Sequence, residues 1–121
     1  MGATVAELAE ALPVGATTVA KTRFSMLVPE VAAALEALPA VRSVLVVGIE
    51  AHVCVLQTAL DLMAKGYDVH VLVDGVSSQR LADRAVALHR LSAAGAFMAT
   101  SGAPRRGGAA WDAGRRGCRR L

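Results

Sequence analysis

The feature that most constrains the fold is an unbroken aliphatic run, SVLVVGI, at residues 43–49. Polar residues do not alternate with the aliphatic ones, so a strand here is expected to be covered on both faces, as strands are in the parallel sheets of α/β proteins. The run is far shorter than the about 20 apolar residues that cross a bilayer. The sequence therefore predicts a buried strand and no membrane segment.

Strand and helix patterns alternate on either side of this run. The predicted strands are 16–21, 43–49, 67–74 and 95–100, and the predicted helices are 28–38, 53–64 and 79–94. Strands that alternate with helices pair in parallel through right-handed crossovers. The pattern predicts an α/β fold with a parallel sheet, whose ligands are expected beyond the carboxyl ends of its strands.

Charge divides the chain into two parts. Residues 1–102 carry seven Lys or Arg and nine Asp or Glu, whereas residues 103–121 (APRRGGAAWDAGRRGCRRL) carry six Arg and one Asp. The second part has no apolar periodicity, so we expect a partial folded domain at 1–102 and a disordered Arg/Gly-rich tail at 103–121. Only 3% of the residues are aromatic, which leaves few rings to stack on bases. Nucleic acid is therefore not an expected partner, and the tail arginines are expected to be solvated.

The two cysteines, Cys54 and Cys118, lie far apart in unlike contexts. This is not the pattern of a disulfide framework, and it is typical of a reducing compartment. The first residues also lack the basic region of a secretory signal or transit peptide. We therefore expect a cytoplasmic protein.

Cys54 is the residue best placed for chemistry. It is predicted at or just inside the N-terminus of helix 53–64, where free N–H groups and the helix dipole stabilise a thiolate. A buried structural thiol is the alternative, and on position alone it is the commoner case. Lys21 ends a predicted strand at the same edge of the sheet, but it also fits a solvated lysine. Glu50, in the turn before Cys54, equally fits an anion at a helix start.

Four stretches together carry a family resemblance. They are AKTRFSM at 20–26, VLVVGIEAHVCVLQTALDL at 44–62, GYDVHVLVDGVSSQ at 66–79 and GAFMATS at 95–101. In their order and spacing they resemble the isochorismatase-like cysteine hydrolases, and most of all the isochorismatase domain-containing proteins. The resemblance implies a three-layer αβα parallel sheet of that type. It also implies hydrolysis of an amide-type C–N bond in a small-molecule substrate by a Cys, Asp, Lys triad.

The resemblance assigns roles to individual residues. Cys54 matches the nucleophile and Lys21 matches the lysine of the triad. A cis peptide bond is implied between Ile49 and Glu50. The backbone amides of Glu50 and Cys54 would then form an oxyanion hole for the attacked carbonyl.

The chain departs from the family pattern at both ends. The family's aspartate, the general base, belongs to an N-terminal strand with a D-x-Q-type motif, and the acids before Lys21 are only Glu7 and Glu10. After Ser101 the family pattern gives way to the Arg/Gly-rich tail. We therefore expect an N-terminally shortened, incomplete domain that is inactive or weakly active. The alternative is a non-catalytic interaction protein that uses exposed sheet edges, and such edges also predict a homo-oligomer.

No cofactor or metal is predicted. His52, His70 and His89 fall in a turn, a strand and a helix, without the spacing of a metal site. The Gly-rich phosphate-binding patterns are absent from the sequence, so the α/β alternation does not indicate nucleotide binding.

Overall fold

The computed structural model describes residues 4–102, which form four α-helices and three strands. In chain order these are α1 (Ala6–Ala11), α2 (Pro29–Glu36), β1 (Ser43–Gly48), a π-helical segment (Ala51–Val55) that continues into α3 (Leu56–Ala64), β2 (Asp68–Val76), α4 (Leu81–Ala94) and β3 (Phe97–Ala99). The tail predicted at 103–121 lies outside the described residues. Within them, no helix is long and apolar enough to cross a membrane.

The three strands form one parallel sheet in the order β1-β2-β3. Ser43 pairs with Asp68 at the start of β1, and His70 pairs with Phe97 between β2 and β3. This confirms the predicted α/β class, because each parallel pair is connected through a helix.

The β1–β2 register breaks near the carboxyl ends of the two strands. Val46 pairs with Val71, but Gly48 pairs with Val76, so β2 uses five steps where β1 uses two. Gly75 lies in this bulge, and a Cβ there would meet Val47 Cγ1 at 2.9 Å. A side chain at position 75 would therefore have to displace Val47, and the bulge brings the residues after β2 alongside the turn that follows β1.

The hydrophobic core lies on one face of the sheet. Val46, Val69 and Val71 point into one cluster with residues of α3 and α4, among them Leu56 and Leu91. Alternate residues of a strand point to opposite faces, so Leu45 and Val47 belong to the other face.

Leu45 is 50% exposed and Val47 is 57% exposed. The prediction that strand 43–49 is covered on both faces is thus wrong for residues 4–102. An aliphatic run of this kind is typical of a strand that is covered on both faces. In this structure, however, α3 and α4 both pack on the same face of the sheet.

The strand predicted at 16–21 does not form. These residues join no sheet ladder, and most of them are exposed. A strand needs an edge to pair with, and β-propensity alone does not supply one. The other predicted elements are present, with ends displaced by a few residues, and the helix predicted from residue 53 begins two residues earlier as the π-helical turn.

Candidate active site

Cys54 lies in the π-helical segment that connects β1 to α3. Its side chain is partly exposed, and its carbonyl oxygen accepts a hydrogen bond from Thr58 Oγ1 at 2.6 Å. Thr58 Oγ1 in turn accepts from the amide of Met26 at 2.9 Å. One buried hydroxyl therefore ties the helix that carries Cys54 to the segment that follows Lys21.

Lys21 and Cys54, 33 residues apart in sequence, meet at the carboxyl end of β1. Lys21 Nζ lies 3.8 Å from Cys54 Sγ. The same ammonium donates to the carbonyl oxygens of Arg23 and Phe24, each at 2.8 Å. The turn after Lys21 thus holds the ammonium beside the sulfur.

A pocket of about 300 Å³ opens beside these two side chains. Its lining is mostly aliphatic and consists of Lys21, Met26, Val46, Val47, Ile49, Cys54, Val55 and Thr58. This size lies at the lower end of the range of small-molecule sites, and a few polar groups in an apolar lining are typical of them. The pocket suits a small, mostly uncharged molecule.

The turn before Cys54 is held by the segment that follows β2. The Ile49–Glu50 peptide bond is cis. Ser77 spans it with its main chain, because its amide donates to Gly48 O at 3.2 Å and its carbonyl accepts from Ala51 N at 2.8 Å. The register break in β2 makes these contacts possible, since it carries Ser77 past the end of β1.

Side chains add to this connection. Ser78 Oγ accepts from Ala51 N at 3.1 Å and lies 3.0 Å from His52 Nδ1. Glu50 Oε2 accepts from Gln79 N at 2.8 Å and lies 3.9 Å from the same His52 nitrogen. The Glu50 carboxylate is therefore engaged with the loop after β2, and it does not belong to the pocket lining.

Sequence reasoning missed Ser78 and Thr58. Both stand in stretches that were recognised only as parts of motifs, VSSQ and VLQTAL, and neither residue type stands out in a loop or helix. Apart from the bond of Thr58 to the Cys54 carbonyl four residues earlier, their contacts join residues 26 to 32 positions apart, so no local pattern reveals them. The available signal for Ser78 was its position in the loop after β2, the strand that follows the aliphatic strand β1.

The remaining predicted residues lie away from Cys54. Glu7 and Glu10 are exposed on α1, and no carboxylate lines the part of the pocket that the structure describes.

His70 stacks on Phe97 with ring centroids 4.8 Å apart, and His89 is on α4. Among residues 4–102, no group of three or more His, Cys, Asp or Glu is arranged to hold a metal. Cys118 lies outside the described residues.

Two titratable groups of the sheet have shifted pKa values. Burial lowers the pKa of His70, and the nearby Asp68 carboxylate partly offsets this. The pKa of Asp74 is lowered because Ser101 donates to its carboxylate from both its hydroxyl and its amide. The hydrogen bonds between Ser101 and Asp74 join the carboxyl end of β2 to the residues after β3.

The chain is similar to known proteins in both sequence and fold. Residues 1–103 match the isochorismatase domain. Isochorismatase domain-containing protein 2 of Bos taurus is 50% identical over 101 residues, which is 84% of this chain and 48% of that protein. The chain thus spans less than half the length of this curated relative.

Solved structures share the fold of this chain. A structure described as MAR1 ribonuclease from Caenorhabditis elegans has a TM-score of 0.78 and 46% identity, and the match covers 85% of this chain and 52% of that one. A pyrazinamidase/nicotinamidase from Streptococcus mutans has a TM-score of 0.61 and 27% identity, over 65% of this chain and 44% of that one. The domain match and the Bos taurus relative confirm the predicted family resemblance.

Proposed function

Because this chain belongs to the isochorismatase domain family, we propose that its pocket is a cysteine hydrolase site for a small molecule with an amide-type C–N bond. In this proposal Cys54 is the nucleophile and Lys21 is the cation beside it. The backbone amides of Glu50 and Cys54 hold the oxyanion. The observation that carries the proposal is the 3.8 Å approach of Lys21 Nζ to Cys54 Sγ inside a pocket of small-molecule size.

The reaction proceeds in two stages. The Cys54 sulfur attacks the carbonyl carbon, a C–S bond forms, and negative charge develops on the carbonyl oxygen. The C–N bond then breaks, and the amine or ammonia leaves with a proton. Water attacks the resulting thioester, which releases the carboxylic acid and restores the thiol. Lys21 stabilises the negative sulfur at the start and again when it leaves.

The proton that the Cys54 thiol must lose has no carboxylate acceptor in the described lining of the pocket. Loss of a general base typically lowers a rate by about 10²- to 10⁴-fold. We therefore expect this chain to accept an acyl group on Cys54 readily from an activated donor. Its turnover of ordinary amides should be slow.

The pocket favours a carbonyl compound over a phosphodiester. Among residues 4–102, its lining has one cationic side chain, Lys21, whose ammonium already donates to two main-chain oxygens and lies beside the Cys54 sulfur. A phosphodiester would bring negative charge into an otherwise aliphatic surface, which is costly without further partners. Nicotinamide is a suitable first probe because a structural relative is named for acting on it.

A second candidate function is a non-catalytic interaction protein. β1 is an edge of the described sheet, with one strand partner, and its Leu45 and Val47 side chains are about half exposed. An exposed aliphatic edge is a template for pairing with another strand. This function would require neither Cys54 nor Lys21.

The experiment is mass spectrometry of the intact protein after incubation with p-nitrophenyl acetate, and separately with nicotinamide. We expect an acetyl adduct from the ester in the wild type and in Cys118→Ala. Cys54→Ala in the Cys118→Ala background should give none under the same conditions. If Cys54→Ala acquires the adduct as fast as the wild type, the hydrolase proposal is wrong, and the edge-pairing function is favoured.

A cytoplasmic location is part of the same proposal, and it rests on the cysteine pattern of the sequence. A reducing compartment keeps a nucleophilic thiol free, which the proposed chemistry requires. Fractionation of cells that express the chain tests the location independently of activity.

A further inference from the structure

The loop after β2 contributes one buried side chain to the turn that precedes Cys54. Ser78 is 8% exposed, whereas Ser77 and Gln79 on either side of it are exposed. Its hydroxyl lies between the main chain of Ala51 and the imidazole of His52. Ser78 is not part of the hydrophobic core cluster. Its hydroxyl therefore contributes to the structure through its hydrogen bonds.

The direction of these hydrogen bonds follows from the groups involved. The amide of Ala51 can only donate, so Ser78 Oγ accepts there at 3.1 Å. The hydroxyl proton is then available to His52 Nδ1, 3.0 Å away, when the imidazole carries its proton on Nε2. Ser78 thus shares the Ala51 amide with the Ser77 carbonyl, which accepts from it at 2.8 Å, and holds the side chain of the next residue.

We propose that Ser78 is a positioning residue that orients the backbone amides of Glu50 and Cys54 toward the carbonyl oxygen of a bound substrate. Ala51 directly follows Glu50 and opens the π-helical segment that holds Cys54. A hydroxyl that holds Ala51 and His52 therefore sets the peptide planes between the two proposed oxyanion donors. Ser78 does not line the pocket, so it acts through this turn and not on the substrate.

This inference rests on the proposed function, and its test separates the two. p-Nitrophenyl acetate acylates a thiolate through a tetrahedral oxyanion, which the two amides would stabilise. Iodoacetamide alkylates the same thiolate by displacing iodide from a saturated carbon, and no oxyanion forms at that carbon. The ratio of the two rates at Cys54, measured in the Cys118→Ala background, therefore reports the oxyanion hole and not the reactivity of the sulfur.

We expect Ser78→Ala to lower the acylation rate at Cys54 about tenfold, the effect of one lost hydrogen bond of ordinary strength, and to leave the alkylation rate unchanged. Ser78→Thr, which keeps the hydroxyl, should restore the acylation rate. Ser77→Ala is the matched control, because it removes the same atom from the neighbouring exposed residue and keeps the main-chain bonds. Amide hydrogen exchange at residues 50–54 should be about tenfold faster in Ser78→Ala, with exchange at Val69 and Val71 unchanged.

Equal losses of acylation and alkylation in Ser78→Ala, with faster exchange throughout the sheet, would overturn the proposal in favour of a general structural role. Unchanged acylation and exchange would overturn it as well. If wild-type Cys54 is alkylated but never acylated, the hydrolase proposal fails. The exchange rates at residues 50–54 then decide by themselves whether Ser78 positions the turn.

Discussion

The ammonium of Lys21 approaches the sulfur of Cys54 to 3.8 Å and also donates to the main-chain carbonyls of Arg23 and Phe24. The lysine is therefore oriented by its own turn, and the geometry does not depend on the sulfur being charged. A cation held in advance at a nucleophile needs no rearrangement when negative charge appears.

Replacing Lys21 with Met should lower the rate at which iodoacetamide alkylates Cys54 at pH 7 by about tenfold. A unit charge about 4 Å from the sulfur contributes a few kcal/mol at most near a protein surface, and partial exposure of the site reduces this. Lys65→Met removes an exposed lysine at the end of α3 and is the control. Equal rates in the wild type and Lys21→Met would show that the ammonium does not activate the sulfur.

Replacing Thr58 with Val should destabilise the fold by about 1–3 kcal/mol. The substitution keeps the shape of the side chain but removes the acceptor of the Met26 amide and the donor to the Cys54 carbonyl. Urea unfolding measures the loss, and Thr58→Ser, which keeps the hydroxyl, should retain most of the stability. A Val variant as stable as the wild type would mean that water replaces the hydroxyl at no cost.

The shifted pKa of His70 predicts a pH-dependent stability. Burial lowers this pKa below the ordinary value of 6.5, so the folded state favours the neutral imidazole. The corresponding stability is present above pH 6.5 and is lost as the pH falls through the lowered pKa. Urea midpoints between pH 5 and 8 should therefore drop less steeply toward acid in His70→Gln than in the wild type.

The matched variant for His70 is His89→Gln, which removes an exposed imidazole from α4. It should keep the acid-side loss of stability that the wild type shows. Identical pH dependence in His70→Gln and the wild type would mean that the sheet position of His70 does not penalise its charged form.

Association of the chain should depend on the uncovered aliphatic face of β1. We expect the wild type to form oligomers, and Leu45→Lys to shift it toward a monomer, because a charge at this half-exposed position opposes pairing. Met98→Lys on β3, the other edge strand of the described sheet, is the control for charge alone. Light scattering on sized samples measures the effect. A wild type that is monodisperse and monomeric contradicts the expectation.

Most elements could be predicted from the sequence because their signals are local. β2 and α4 follow from the strand pattern at 67–74 and the helical pattern at 79–94, and both are present. The strand expected at 16–21 is absent because strand formation depends on a partner edge, which a short segment cannot specify. The same limit explains why β1 was expected to be covered on both faces.

The candidate site divides in the same way. Local patterns predict Cys54 near a helix start and Lys21 at the same edge of the sheet, but the role of Lys21 beside the sulfur comes from the family resemblance. The hydrogen bonds of Ser78 and Thr58 could not be predicted, since they depend on where a register break and a distant turn bring the main chain. Such contacts are set by tertiary geometry, and they cannot be predicted from the type of a single residue.

Because of the bulge at Gly75, the number of residues in β2 determines where Ser77 and Ser78 lie relative to the turn before Cys54. Each residue of a strand advances the chain by about 3.3 Å, which is more than a hydrogen bond tolerates. Deleting or inserting one residue between Val71 and Val76 would therefore slide Ser77 and Ser78 off the turn before Cys54, even if every side chain were kept. In this stretch of the chain, residue count is constrained as strictly as residue identity, so natural or engineered length variation should be tolerated in the loop between α2 and β1 and rejected here.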